Sequence, residues 1–206
     1  MTIQESNMKR LVRARESAAR FFSQPIAKAL ARTSVTPTAL TWLGFFIALG
    51  GGVLVALNHP VIAGAVVLFG GAFDMLDGAL ARLTNRVTKF GAVLDSTLDR
   101  LSEVAVLLGI LVAFTRAQST VGILLTGLAL PGSLLVSYLR ARAEAIDLEC
   151  KVGIFTRTER VIIISLGLLL IRIDYALIAA LAIIIFFSFL TIVQRLLYIY
   201  QQTKVK

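Results

Sequence analysis

The sequence predicts an all-α polytopic membrane protein: six transmembrane helices preceded by an amphipathic helix lying in the membrane interface. Three observations predict it. Of 206 residues, 57% are hydrophobic and 16% charged, with a mean hydropathy of +0.84. Six stretches approach the ~20 apolar residues needed to cross a bilayer. The basic residues collect between alternate stretches. A soluble domain is about 45–50% apolar and about 25% charged, so the surplus apolar surface here must face something other than water. That argues against a soluble enzyme, a disordered chain or a disulfide scaffold, and the single Cys150 cannot form an internal disulfide. A net charge of +9 suits nucleic acid or anionic lipid. With this hydropathy lipid is the expected partner, and nucleic acid is not.

Taken in order, residues 1–37 place Met8, Leu11, Val12, Ala18, Ala19, Phe22, Ile26 and Leu30 at roughly helical spacing among seven basic residues. No compact apolar core of a signal peptide is present, so the pattern predicts a basic juxtamembrane helix in the interface plane. The membrane domain, 38–200, contains spans near 38–58, 61–82, 91–115, 119–140, 158–172 and 174–198. The fifth is short, and the fifth and sixth form a hairpin turning near Arg172 and Asp174. Trp42 suits an interfacial anchor, and Gly44, Ala48 and Gly52 form a small-residue face for packing within the chain. His59 falls in a short external turn beside Pro60. Residues 201–206 are expected as a disordered cytoplasmic tail. No strand-like alternation or internal repeat is visible.

Eighteen of the 21 Lys and Arg residues fall on one side of these spans, Arg116 and Arg172 on the other, and Arg100 within a span. By the positive-inside rule both termini and the two long loops are cytoplasmic, in the plasma membrane.

Five acids, Asp74, Asp77, Asp95, Asp99 and Glu103, sit inside spans two and three. Each charged residue at mid-bilayer costs about 2.5–3.5 kcal/mol on insertion scales, so it needs a purpose. Asp74 and Asp77 are i, i+3 and Asp95 and Asp99 are i, i+4, so each pair shares a helix face. Four such carboxylates repel unless protonated, paired or neutralised by cations. Hard divalent ions take oxygen ligands, and two held close together clamp a displacement at phosphorus. Gly78 and Gly91 give a ligand clearance beside the helices, and Arg82 stands one turn beyond Gly78 to meet a phosphate. A carboxylate–arginine network through Arg82 and Arg100, and an ion relay in a transporter, are the alternatives.

The run Asp74-x-x-Asp77-Gly78-x-x-Ala81-Arg82, eight residues, then Gly91-x-x-x-Asp95-x-x-x-Asp99 resembles the signature of the CDP-alcohol phosphotransferase family at every fixed position. The resemblance implies six spans, an interfacial N-terminal helix, cytoplasmic ends and a homodimer. It implies a CDP-lipid donor, usually CDP-diacylglycerol, whose pyrophosphate rests on two divalent ions, Mg²⁺ or Mn²⁺. An alcohol attacks the lipid-side phosphorus and CMP leaves. Carried over by position, Asp74, Asp77 and Asp95 hold metal, and Asp99 holds metal and acts as general base. Gly78, Arg82, Thr88 and the stretch Thr38-Ala39-Leu40-Thr41 contact the CDP-lipid.

The second half bears on the acceptor. Forked cationic donors suit a phosphorylated polyol, and arginines Arg140, Arg157, Arg160 and Arg195 lie at cytoplasmic span ends. The spacing of Ser137, Arg160 and Arg195 resembles the acceptor-phosphate site of bacterial phosphatidylinositol phosphate synthases, with Arg140 and Arg157 as weaker candidates. Those enzymes join CDP-diacylglycerol to 1D-myo-inositol 3-phosphate. The alternatives are glycerol 3-phosphate as acceptor, as in phosphatidylglycerophosphate synthase, and an archaeal ether-lipid donor, as in archaetidylinositol phosphate synthase.

Overall fold

A computed structural model describes residues 24–150 and 152–204, and among these residues every regular element is helical. The main elements are α1 (Pro37–Ala56), α2 (Pro60–Leu83), α3 (Lys89–Arg116), α4 (Thr120–Glu144), α5 (Arg157–Leu169) and α6 (Ala176–Lys204). Each expected span coincides with one helix. α1, α2, α4 and α6 are long and apolar enough to cross a membrane. α3 has the length, at 28 residues, but carries Asp95, Asp99, Arg100 and Glu103. α5 is shorter than its expected span, with 13 residues ending at Leu169. Most of the predicted amphipathic segment, Met8 to Phe22 included, lies outside the described residues. Residues 24–30 are helical, with Ala27 buried and Ile26 exposed.

Local chemistry fixes the helix ends. Thr36 caps α1, its hydroxyl accepting from the Ala39 amide at 3.2 Å, and Pro37 fills the first helical position, where no N–H is needed. Thr88 caps α3 through the Gly91 amide at 2.9 Å and Ser119 caps α4 through Gly122 at 3.3 Å. Glu159 reaches back from α5 to the Thr156 amide at 2.7 Å. Four helices stop in one way: Asn58, Asn85, Gln118 and Asp147 turn left-handed, with φ between 52° and 65°. The next amide in each case bonds a carbonyl five residues back, as His59 does to Leu54 at 2.9 Å. The expected disordered tail is instead helical as far as Lys204. Gln, Thr and Lys extend a helix already nucleated by its packed length, and the Lys204 ammonium lies 5.0 Å from the Tyr200 ring centre.

The chain divides into two compact units, one of the segment up to Phe46 with Phe69–Leu101, the other of Ile47–Leu68 with the chain from Ser102 onward. The first has a small core of Leu40, Leu76 and Leu80, flanked by Leu30, Val35 and Phe73. The second has a larger one, including Val55, Leu107, Ile110, Leu168, Leu181 and Ile184, with α4 and α5 both packed on α6. The small-residue face of α1 packs within the chain, as expected. In the second unit a Cβ on Gly52 would lie 2.5 Å from the Ala105 carbonyl oxygen, and one on Gly109 would run into the Gly52 carbonyl. Large side chains such as Phe46, Phe69, Phe186 and Phe189 point outward, which suits acyl chains and not water.

Gly109→Val is expected to force these backbones apart and cost at least the about 1–3 kcal/mol of an overpacked core. Thermal unfolding in detergent should fall by several degrees, while Gly50→Ala, where a Cβ meets nothing within 4 Å, should leave it unchanged.

Candidate active site

The aspartates belong to the first unit. α2 supplies Asp74 and Asp77, α3 supplies Asp95 and Asp99, and residues 84–88 join the two helices. Asp77 is 4% exposed and fixed at both oxygens: the Thr41 hydroxyl of α1 donates to Oδ2 at 2.7 Å and the Gly78 amide to Oδ1 at 2.5 Å. Asp74 and Asp95 act on Asp77 as nearby like charges. Asp74 is seated against α1, where a Cβ on Gly44 would stand 3.2 Å from its Oδ1. Asp99 follows Asp95 by one turn and is half-buried. The structure thus gathers Asp74, Asp77 and Asp95 into one electrostatic neighbourhood.

Among the described residues, no three His, Cys, Asp or Glu side chains close tightly around a point that could hold an ion. Mutual repulsion disfavours such closure without a cation, and the oxygens of Asp77 are engaged by Thr41 and Gly78. The donor set nonetheless fits a hard divalent ion, being composed of carboxylates only, paired on two helices.

The residues expected at the CDP-lipid divide by role. Thr38 and Ala39 are exposed at the first turn of α1, whereas Leu40 is buried in the small core and Thr41 orients Asp77. Arg82 is exposed, and its guanidinium is the nearest group to the open side of Gly78, 3.5 Å from where a Cβ would stand. Thr88 serves as the cap of α3. The clearance at Gly91 accommodates that cap, since a Cβ there would lie 2.8 Å from the Thr88 hydroxyl.

The second unit holds the residues expected at the acceptor. Arg160 of α5 is fully enclosed and paired with Glu103 of α3, Nε to Oε1 at 2.5 Å and Nη2 to Oε2 at 2.8 Å. Its Nη1 is buried with no hydrogen-bond partner. Arg195 of α6 is 4% exposed and donates from Nε to the Val152 carbonyl at 3.0 Å and from Nη1 to the Val136 carbonyl. Arg140 and Arg160 act on Arg195 as like charges and Glu144 as an opposite one. Arg140 is exposed and pairs with Glu144 at 2.9 Å, while Ser137 and Arg157 are partly buried. Arg140, Arg160 and Arg195 thus come from three helices of this unit, α4, α5 and α6. Glu103 was the residue whose partner sequence reasoning missed. Its signal is its place four residues after Asp99, continuing the Asp95–Asp99 stripe.

Removing one member of a buried pair strands the other charge at a cost of about 3–5 kcal/mol. Glu103→Ala should therefore sharply lower the unfolding temperature in detergent. Glu103→Ala combined with Arg160→Met should recover most of the loss, which a double-mutant cycle will measure.

Comparison with known proteins accords with this geometry. The CDP-alcohol phosphatidyltransferase family model matches residues 34–196. The chain is 39% identical to the archaetidylinositol phosphate synthase of Methanothermobacter thermautotrophicus over 90% of this chain and 92% of that protein. It is 42% identical to the phosphatidylinositol phosphate synthase of Mycobacterium tuberculosis over 69% of this chain and 67% of that protein. A crystal structure of the M. tuberculosis enzyme with CDP-DAG bound superposes with a TM-score of 0.77 at 36% identity, covering 86% of this chain and 93% of that one. Another, in complex with manganese and citrate, gives 0.76 at 35% identity, covering 86% and 88%. With an all-helical fold, membrane-length apolar helices and a matching family model across most of its length, the chain belongs to the CDP-alcohol phosphatidyltransferase family.

Proposed function

We propose that this chain transfers a phosphatidyl group from CDP-diacylglycerol to 1D-myo-inositol 3-phosphate, releasing phosphatidylinositol phosphate and CMP. The observation that carries the acceptor assignment is Arg195, an enclosed cation whose hydrogen-bond acceptors are two neutral carbonyls. A buried charge whose hydrogen bonds go to carbonyl dipoles is not neutralised by them and favours an anionic ligand. A phosphorylated polyol meets that requirement. Free inositol brings no anion. Ether-lipid donors remain the second reading, favoured by the 39% identity to the archaeal synthase over nearly the whole chain.

In this reading Asp74, Asp77, Asp95 and Asp99 hold two divalent ions, Mg²⁺ or Mn²⁺, and Thr41 keeps Asp77 oriented for that task. When bound, the ions supply positive charge against the donor pyrophosphate and the departing CMP. Asp99 accepts the proton from the acceptor hydroxyl as its oxygen bonds to the lipid-side phosphorus and the bond from that phosphorus to CMP breaks. Arg82, Gly78 and the exposed start of α1 at Thr38 and Ala39 hold the cytidine nucleotide, with Thr88 shaping the adjoining turn. Ser137, Arg160 and Arg195, assisted by Arg140 and Arg157, hold the acceptor phosphate. We read α1–α6 as six spans of a plasma-membrane homodimer, with residues 1–37 on the inner surface. The eighteen basic residues on one side support cytoplasmic termini and loops.

Purified protein supplied with CDP-diacylglycerol and Mg²⁺ or Mn²⁺ should release CMP with inositol 3-phosphate. It should not do so with free inositol, serine or glycerol 3-phosphate, and a chelator should abolish the activity. Preference for glycerol 3-phosphate would overturn the acceptor and leave the chemistry standing. Replacing the diacyl donor by its ether analogue separates the two donor readings. Asp99→Asn should lower turnover by about 10²-fold or more, as expected for loss of a general base, while CDP-lipid binding persists. Turnover close to that of the unmodified chain would remove Asp99 from that role.

A further inference from the structure

We infer that Gly153 is a positioning residue for the acceptor site, acting through the backbone of the α4–α5 connection on Arg195. This rests on the reading of Arg195 as a receptor for the acceptor phosphate. Arg195 projects from α6, and two carbonyls set its guanidinium: Val136 on α4 and Val152 in the connection, the latter accepting from Nε at 3.0 Å. For the Val152 carbonyl to reach α6 the chain must pass close over the helix, and it does so at Gly153. That residue has φ +120°, a conformation that side chains rarely adopt. It also lacks room: a Cβ there would stand 2.7 Å from Thr191 Cγ2 and 3.2 Å from Arg195 Nε.

Neither neighbour can easily give way. Thr191 is fully buried and β-branched on a helix, so its χ1 is stiff, and Arg195 is the group being held. Elsewhere the connection is tied down by buried Cys150 and Phe155 and by the Tyr198 hydroxyl donating to the Glu149 carbonyl at 3.3 Å. A side chain at Gly153 would lift the Val152 carbonyl from Arg195 while leaving these other ties in place. The guanidinium would lose one of its two anchors and with it the orientation of its remaining donors.

The test compares Gly153→Ala, Gly153→Ala with Thr191→Ser, and Arg195→Gln, measuring KM for inositol 3-phosphate and for CDP-diacylglycerol separately. Gly153→Ala should raise the acceptor KM roughly tenfold, within the loss expected from misplacing a binding group, with the donor KM little changed. Removing the Thr191 methyl should restore part of the loss. Inorganic phosphate, used as a competitor, should weaken in parallel. If Arg195→Gln raises the acceptor KM and Gly153→Ala does not, Gly153 has no such role and the site assignment stands. If Arg195→Gln leaves the acceptor KM unchanged, the site assignment itself falls. Should Gly153→Ala fail to fold, hydrogen exchange gives an independent measure. Amides of residues 152–155 should exchange faster in Arg195→Gln than in the unmodified chain, and equal rates would overturn the anchoring.

Discussion

An ionised group placed among apolar helices must be met by an opposite charge or by oriented dipoles, and the interior of this protein is organised around that constraint. Asp77 is met by a hydroxyl and an amide. Arg160 is met by a carboxylate, and Arg195 by two carbonyls. These are three different electrostatic situations. Arg160 with Glu103 is neutral as a pair and can be enclosed completely. Asp77 has dipoles in contact but like charges nearby, so its neighbourhood remains one that favours cations. Arg195 has carbonyl dipoles in contact, which leave its charge unneutralised, and so favours anions. The same folding requirement that makes buried charge expensive thus leaves these groups with different residual charge: little at the Arg160–Glu103 pair, more at Asp77 and Arg195.

Much of the plan was legible in the sequence because membrane helices write themselves in long apolar runs. All six helices lie where hydropathy put them, and the aspartate spacing pointed to the family whose model matches residues 34–196. The differences arose where composition and local structure part company. α5 stops at Leu169 although apolar residues continue, since Leu170, Ile171 and Ile173 lie in the turn and not in the helix. The polar tail continues α6 because propagation of a formed helix is easy even for Gln and Lys. Thr88 illustrates a different limit. A threonine before a helix suits both a cap and a ligand contact, and spacing along the chain does not say which; the Thr88 hydroxyl caps α3 through Gly91.

Glu103 and Gly153 escaped sequence reasoning for distinct reasons. Glu103 was visible as an intramembrane acid, but its partner lies 57 positions away on another helix, a distance that spacing rules cannot bridge. Gly153 is one of fifteen glycines, and only its dihedral angle and its neighbours separate it from the rest. Helix packing raises the same difficulty at Gly52 and Gly109, where the absence of side chains lets two backbones meet. The small-residue spacing of α1 hinted at this, but nothing along the chain named the partner helix.

The anchoring of Arg195 by Val136 and Val152 uses main-chain oxygen alone. Any residue able to adopt the local backbone supplies that oxygen equally well, so at the partly exposed Val152 the side chain is not what holds the arginine, whereas Val136 is also fixed by its burial. Methods that infer proximity from paired substitutions would find no trace of this contact, and saturation mutagenesis at Val152 would report tolerance at a place where the geometry tolerates very little.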